Sequence, residues 1–263
     1  MTSVEQLYDI WSRDSELRAA LDRSLDPRGV EWLFDAFAAL GPRAGDVVAD
    51  VGARDAKHAI RLAREHGVRA IAIDPVELHV ELARAAVAET GVDVEVVAGA
   101  AEALPLADAS VDWIWCRDVL VHVDVERGLA EFARVLKAGG GVIAYVTLPT
   151  DELEPDEEAA LAAAVALTGV DAHRLERAAE AAGLVERAVD RLGSEWRERM
   201  IEDGTWDASA DLLRIARLRR RRDLLVEQYG AAAVDAAWGG LVWGVYQMIG
   251  KLCPTIYVWE RRA

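Results

Sequence analysis

Between residues 46 and 148, short apolar runs alternate with stretches of helical periodicity, an order that few folds accept. The runs are VVADV at 47–51, AIAID at 70–74, VEVVAG at 94–99, VDWIWC at 111–116 and GVIAYVTL at 141–148; helical patterns occupy 56–66, 77–90 and 125–137. Strands that are apolar on both faces and joined by helices imply a parallel sheet covered on both sides. The fold class is therefore α/β, with a central, mostly parallel sheet and helices on both faces.

The flanks read differently. Residues 3–40 carry helical periodicity in two pieces parted at Asp26-Pro27-Arg28-Gly29, where Pro27 is expected to open the second helix. After Pro149 come an acidic, alanine-rich stretch at 151–168 and a helix over 171–182, capped by Asp171 and closed by Gly183. LVERAVDRL reads as a strand on the sheet edge, 194–252 as mostly helical with turns at Asp203-Gly204 and Gly239-Gly240, and TIYVWERR at 255–262 as the last strand. The expected organisation is a helical lid at 1–43, a core at 44–192, a helical cap inserted at 193–254, and a final strand of the core sheet at 255–263. No internal repeat or low-complexity linker interrupts it.

Composition narrows the partners. A chain of 263 residues that is 52% hydrophobic can fill a substantial core, and its formal charge of −16 opposes the basic footprint that nucleic acid requires. Cys116 and Cys253 lie in unrelated contexts, and the sequence has neither a CxxC pair nor an HExxH motif, so neither a disulfide framework nor a metal site is expected. The start of the chain lacks a basic region followed by an apolar run, and no stretch approaches the roughly 18 apolar residues of a membrane span. The expectation is a cytoplasmic protein whose partner is a small molecule, without nucleic acid or membrane, and with homodimerisation left open. The scarcity of lysine (Lys57, Lys137 and Lys251) beside many arginines and alanines reads as a GC-rich genome.

The turn VVADVGARDA at 47–56 has the form strand, tight turn, helix. Glycine there lets a backbone approach a ligand, and the start of the following helix offers unpaired N–H groups to a nucleotide-like molecule. Asp50 and Gly52 close the first strand; Asp74 closes the second, 22 residues beyond Gly52, near the spacing of an acid that accepts both hydroxyls of a ribose. Asp74-Pro75 could instead simply end a strand and cap a helix, and Asp50 could bond turn amides. A nicotinamide site would share these features.

The following segments are more specific. GAAEALPLADASVDWIWCRDVLVHV and ARVLKAGGGVIAYV, in their order and spacing, resemble the class I S-adenosylmethionine-dependent methyltransferases, in the methyltransferase type 11 branch that contains ubiquinone and menaquinone biosynthesis enzymes. The resemblance covers about residues 44–148. It implies a Rossmann-like fold, methyl transfer to a small molecule, and S-adenosyl-L-methionine as cofactor. Asp50, Gly52, Ala53 and Arg54 would then form the cofactor turn, Asp74 would take the ribose, and Pro75 with Val76 would flank the adenine. Ala101 and Glu102 would lie at the adenine edge, and Arg117 with Asp118 beside the sulfonium. Three residues depart from the pattern: Arg54 and Ala56 replace glycines of the turn, and Ala100 replaces an acid. Because arginine avoids positive φ, the turn at residue 54 is expected either to be conventional or to reshape the pocket.

His122 is the expected base, since its ordinary pKa suits proton removal near neutral pH, with Asp118 and Arg117 orienting it or the cofactor; a histidine bonded to backbone is the other reading. His58, His66, His79 and His173 receive no role. Trp196, Trp243, Tyr246 and Gln247 of the cap, with Tyr8 and Trp11, are the expected substrate contacts, although aromatic residues at helical spacing also suit a core. In RIARLRRRRDLL, Leu218 and Leu225 share a helix face, so Arg221 or Arg222 should lean toward it and pair with an acid or bind an anionic group. A natural-product pathway fits the lysine-poor composition and the elaborate cap. The alternative reading keeps the fold but uses the altered turn for a cyclisation or elimination.

Overall fold

The computed structural model describes residues 3–13 and 15–262, with the side chains of residues 11–13 outside that description. In chain order, the helices α1 (Val4–Arg13), α2 (Ser15–Leu21) and α3 (Val30–Ala39) precede β1 (Val47–Val51), α4 (Lys57–His66), β2 (Arg69–Asp74), α5 (Glu77–Ala88) and β3 (Val94–Ala98). Then follow β4 (Val111–Arg117), α6 (Val125–Val135), β5 (Leu136–Pro149), α7 (Pro155–Val165), α8 (Ala172–Ala181) and β6 (Leu184–Arg191). The chain ends with α9 (Glu195–Glu202), α10 (Ala208–Arg220), α11 (Arg222–Tyr229), α12 (Ala231–Met248) and β7 (Leu252–Arg261).

The seven strands form one sheet in the order β3-β2-β1-β4-β5-β7-β6. All pairs are parallel except those of β7, which runs antiparallel between β5 and β6. Strand order reverses between β1 and β4, leaving a crevice at their carboxyl ends. The period of two in each strand assigns the faces. Ala49, Val51, Ile114 and Cys116 pack with Leu129 and Phe132 of α6 and Leu175 of α8. Their chain neighbours Val48 and Trp115 turn to the opposite face, against Leu33, Phe34 and Phe37 of α3. Side-chain caps start three of the described helices: Asp124 accepts from the Arg127 amide at α6, Asp171 from the Arg174 amide at α8 and Asp207 from the Ala210 amide at α10.

Four expectations change. Pro27 does not open a helix; it is buried in the connection ahead of α3, which starts at Val30, and its neighbour Arg28 is held by Asp190 and Glu195. Because α3 seals one sheet face with three buried side chains, it belongs to the core and not to a lid. Gly239-Gly240 is no turn but the middle of α12, where a Cβ on Gly239 would stand 2.5 Å from Val165 Cγ1 and 2.9 Å from Ala164 Cβ of α7. The basic run is not one helix, since it breaks at Arg221; Arg222 pairs with Asp235 at 2.7 Å, while Arg221 remains exposed.

The contact between α12 and α7 can be tested with two neighbouring glycines. A Cβ on Gly240 meets nothing within 4 Å. Gly240→Ala should therefore stabilise the protein by about 0.5–1 kcal/mol through helix propensity. Gly239→Ala should destabilise it by about 1–3 kcal/mol through overpacking, as measured by urea denaturation. Equal stabilisation by both would show that the two helices do not touch.

Candidate active site

The turn after β1 keeps the backbone of a glycine turn although two of its residues are not glycine. Gly52 has φ +78°, Arg54 +53° and Ala56 +58°. Arg54 is therefore neither conventional nor a sign of a reshaped turn. A left-handed residue with a side chain costs about 1–2 kcal/mol, so the surroundings must hold it. They do so from the second strand: the Gly52 and Ala53 amides donate to the Ile73 carbonyl at 2.8 and 3.0 Å, and the Arg54 amide donates to Asp74 Oδ2 at 2.9 Å. Gly52 itself is required, because a Cβ there would lie 2.2 Å from Val119 Cγ2.

Asp50, 2% exposed, accepts the Ala59 amide at 3.1 Å and so ties the end of β1 to the first turn of α4. Burial, with one amide as partial compensation and the charge of Asp74 nearby, pushes its pKa up to about 7. Across the crevice, Asp118 has φ +52°, donates its amide to the Tyr145 carbonyl at 2.8 Å and accepts the Thr147 amide on Oδ1 at 3.0 Å. Burial also raises its pKa, against the pull of Arg117. The Arg117 guanidinium lies 5.5 Å from both the Tyr145 and Trp196 ring centroids, and its Nε is buried without a hydrogen-bond partner.

These groups surround a cavity of about 420 Å³ at the strand-order reversal, lined by Asp50, Gly52, Ala53, Arg54, Asp55, Lys57, His58, Arg117 and Asp118. The size and place suit a small-molecule site in an open α/β sheet. His58, given no role by the sequence, accepts the Trp115 indole N–H on Nδ1 at 3.2 Å, which leaves its proton on Nε2. Burial and Arg117 lower its pKa to about 4, so it is a neutral donor at physiological pH. Its signal was positional: it stands one residue into the helix that follows the turn.

Several expected residues lie elsewhere. Asp74 sits behind the turn, its Oδ2 on the Arg54 amide and its Oδ1 shared by the Val76 amide and His79 Nδ1, both at 3.0 Å. Its full capacity for two ribose hydroxyls is thus not open in this arrangement; one acceptor position on Oδ2 remains. Pro75 is exposed, Ala101 is buried in the core, and Glu102 accepts the Asp124 amide at 3.2 Å. His122 is exposed outside the cavity wall, with Nδ1 3.3 Å from the Ala166 carbonyl. Tyr8 is 62% exposed on α1, and the Trp11 side chain lies outside the described residues.

The cap contributes through α9 and α12. Trp196 is buried and packs 4.5 Å from Tyr145, while Trp243 and Tyr246 pack in the small core that α12 shares with α7. Gln247 is fully buried; its Nε2 donates to Thr147 Oγ1 at 2.9 Å, and its Oε1 accepts from Arg197 Nε at 2.5 Å. Thr147, Tyr145 and Arg197 were missed. The first two share one face of β5 by their spacing of two, a signal that an apolar run hides.

Residues 49–144 match the methyltransferase domain family, without assignment to a ubiquinone or menaquinone branch. The chain is 35% identical over 117 residues to an uncharacterized methyltransferase of Mycobacterium tuberculosis, covering 44% of this chain and 43% of that protein. It is 35% identical over 133 residues to a sarcosine/dimethylglycine N-methyltransferase of Halorhodospira halochloris, covering 49% and 45%. The chain thus spans less than half the length of the curated relatives it matches. A crystal structure described as a putative sarcosine dimethylglycine methyltransferase from Galdieria sulphuraria superposes with a TM-score of 0.68 at 20% identity, over 95% of this chain and 88% of that one. The match to the methyltransferase domain model is thus confined to residues 49–144, and the architecture of the whole is the class I S-adenosylmethionine-dependent methyltransferase fold.

Proposed function

We propose that the protein is an S-adenosylmethionine-dependent methyltransferase acting on a small-molecule metabolite. The observation that carries this reading is the cavity at the β1/β4 reversal, where two buried carboxylates face an arginine whose Nε has no protein partner. The two carboxylates suit the ammonium and sulfonium groups of that cofactor. When bound, S-adenosylmethionine supplies an activated methyl group for in-line displacement. The carboxylates of Asp50 and Asp118 hold positive charge, and the left-handed turn at Gly52–Arg54 supplies close backbone approach. Asp74 fixes that turn and keeps one Oδ2 acceptor position for a ribose hydroxyl.

The chain's remaining contribution is alignment and proton removal, which dominate when the methyl group arrives already activated. Asp118, on the cavity wall with its pKa raised by burial, is better placed as proton acceptor than His122, which must leave the Ala166 carbonyl to reach the cavity. Trp196, Trp243, Tyr246 and Gln247 belong to the cap that selects the acceptor, and a cap of four helices suits an extended natural-product scaffold. The alternative of a cyclisation or elimination with an anionic leaving group drew on the basic helix and on the turn altered by Arg54; the glycine-like backbone of that turn removes the second motive.

Calorimetric titration tests the proposal. Wild-type protein should bind S-adenosylmethionine and S-adenosylhomocysteine at one site, Asp74→Ala should weaken both at least about tenfold through loss of the turn, and no binding by the wild type would overturn the reading. Arg54→Gly should bind within about threefold of wild type, because the backbone conformation already exists; a large gain would show that the Arg54 side chain obstructs the cavity. Affinity should also rise with pH. Asp50 is protonated below about 7, so its attraction for a cationic ligand appears as pH climbs through that value. Asp50→Asn should flatten the profile between pH 5.5 and 8, and an unchanged slope would remove Asp50 from the site.

A further inference from the structure

In a chain with 46 acidic residues against 30 basic ones, half-buried arginines find carboxylates easily. Arg28, Arg61, Arg134, Arg174 and Arg199 all do. Arg261 donates to the Leu136 carbonyl. Arg117 and Arg197 are different: among the described residues neither has a carboxylate oxygen within 4.0 Å, and the two come from unrelated elements, β4 and α9, to the same place. Arg117 lies over Tyr145 and Trp196, and Arg197 lies 5.0 Å from the Trp206 ring centroid. Stacking covers the faces of a guanidinium and leaves its N–H edge for an in-plane acceptor.

The position of Arg197 is built. Gln247 holds its Nε, and among the described residues its Nη1 reaches only the weak acceptor Met200 Sδ at 3.4 Å. Gly244 of α12 makes room for it, since a Cβ there would stand 3.2 Å from Arg197 Cζ and 3.0 Å from Trp206 Cζ2. The two arginines feel each other's charge, and burial with the Arg117 cation lowers the Arg197 pKa. Asp118 and Asp211 act on Arg197 only from a distance, as does Tyr145: Asp118 takes the Thr147 amide, and Asp211 takes the Trp206 indole N–H and Arg214. A purely structural cation in this setting would be paired, because an uncompensated, partly buried charge is costly.

We propose that Arg117 and Arg197 form an oxyanion subsite for the methyl acceptor, taking a carboxylate or phosphate group of the substrate beside the reaction centre. The inference rests on the methyltransferase reading and names the substrate class it leaves open. Arginine is suited to the role, because its planar donors match both oxyanions in a bidentate way. Arg117 lines the cavity and Arg197 comes to it from α9 of the cap, so the anionic group enters on the cap side.

The experiment is a calorimetric titration of the whole chain, saturated with S-adenosylhomocysteine, with sodium acetate, sodium benzoate and inorganic phosphate, chloride balancing the ionic strength. Wild-type protein should bind one class of probe, carboxylate or phosphate, in preference to chloride, and that class identifies the substrate group. Arg197→Met should weaken the probe at least about tenfold, as loss of a charge-assisted pair does, while its affinity for S-adenosylhomocysteine stays within about twofold. Arg197→Lys should recover part of the loss and shows that the site tolerates substitution. Three results overturn the proposal: no preference for any probe over chloride, equal probe affinity in Arg197→Met, or probe binding that saturating S-adenosylhomocysteine abolishes. The last would assign the arginines to the cofactor's own carboxylate. If S-adenosylhomocysteine itself fails to bind, the methyltransferase reading fails, and the same probes on the unliganded chain still read the subsite.

Discussion

The hydrogen bond from the Arg54 amide to Asp74 Oδ2 ties the carboxyl ends of β1 and β2 together and holds residue 54 in a conformation that arginine otherwise avoids. The turn's remaining geometry follows from it. With residue 54 left-handed, the chain reverses within a few residues, and α4 starts close enough for the Ala59 amide to reach Asp50. That second bond helps hold Asp50 in a nearly dry setting at the floor of the cavity. Two carboxylates from adjacent strands therefore do the work that glycines perform by permissiveness alone.

The same crevice concentrates charge that the rest of the surface disperses. Asp50 and Asp118 are raised by burial, and Arg117 faces them with an unanswered Nε. Low-dielectric surroundings strengthen each of these charges, so a ligand carrying complementary groups gains more here than at an exposed site. The strained backbone lies in the same place, with Arg54, Ala56 and Asp118 all at positive φ around the cavity. Strain persists where surrounding contacts over-determine it, and here β2 and β5 provide those contacts through Ile73, Asp74, Tyr145 and Thr147.

Much of this was legible from residue order. Strands that are apolar on both faces had to be covered on both faces, so VVADV, AIAID and VDWIWC pointed to the parallel sheet and to the crevice at its reversal. Asp50 and Gly52 were singled out because strand ends in such a sheet are where ligands meet side chains, and Arg117 and Asp118 by the resemblance to the methyltransferases. His122 was misplaced because the residues after β4 form an irregular turn, and pKa suitability says nothing about the direction of a side chain. His58 was overlooked because the helical period that places it beside Trp115 gives no weight to the indole donor that fixes its tautomer. The Gly239-Gly240 pair looked like a turn because glycine is locally a helix breaker, whereas close approach of α7 is information from 75 residues earlier.

By itself, then, the sequence determined the alternation of elements, the sheet they form and the strand ends that carry chemistry, since periodicity and local propensity are properties of neighbouring residues. The tertiary structure decided what distance along the chain conceals. It showed that Arg54 could keep a glycine's backbone because Asp74 holds it, and that α3 belongs to the core because Trp115 and Ile143 need a cover. It also brought Arg117 and Arg197, 80 residues apart, within range of each other's charge, neither with a carboxylate oxygen within 4.0 Å among the described residues. Those outcomes depend on hydrogen bonds, packing and charge between segments remote in sequence, and such interactions exist only once the chain has folded.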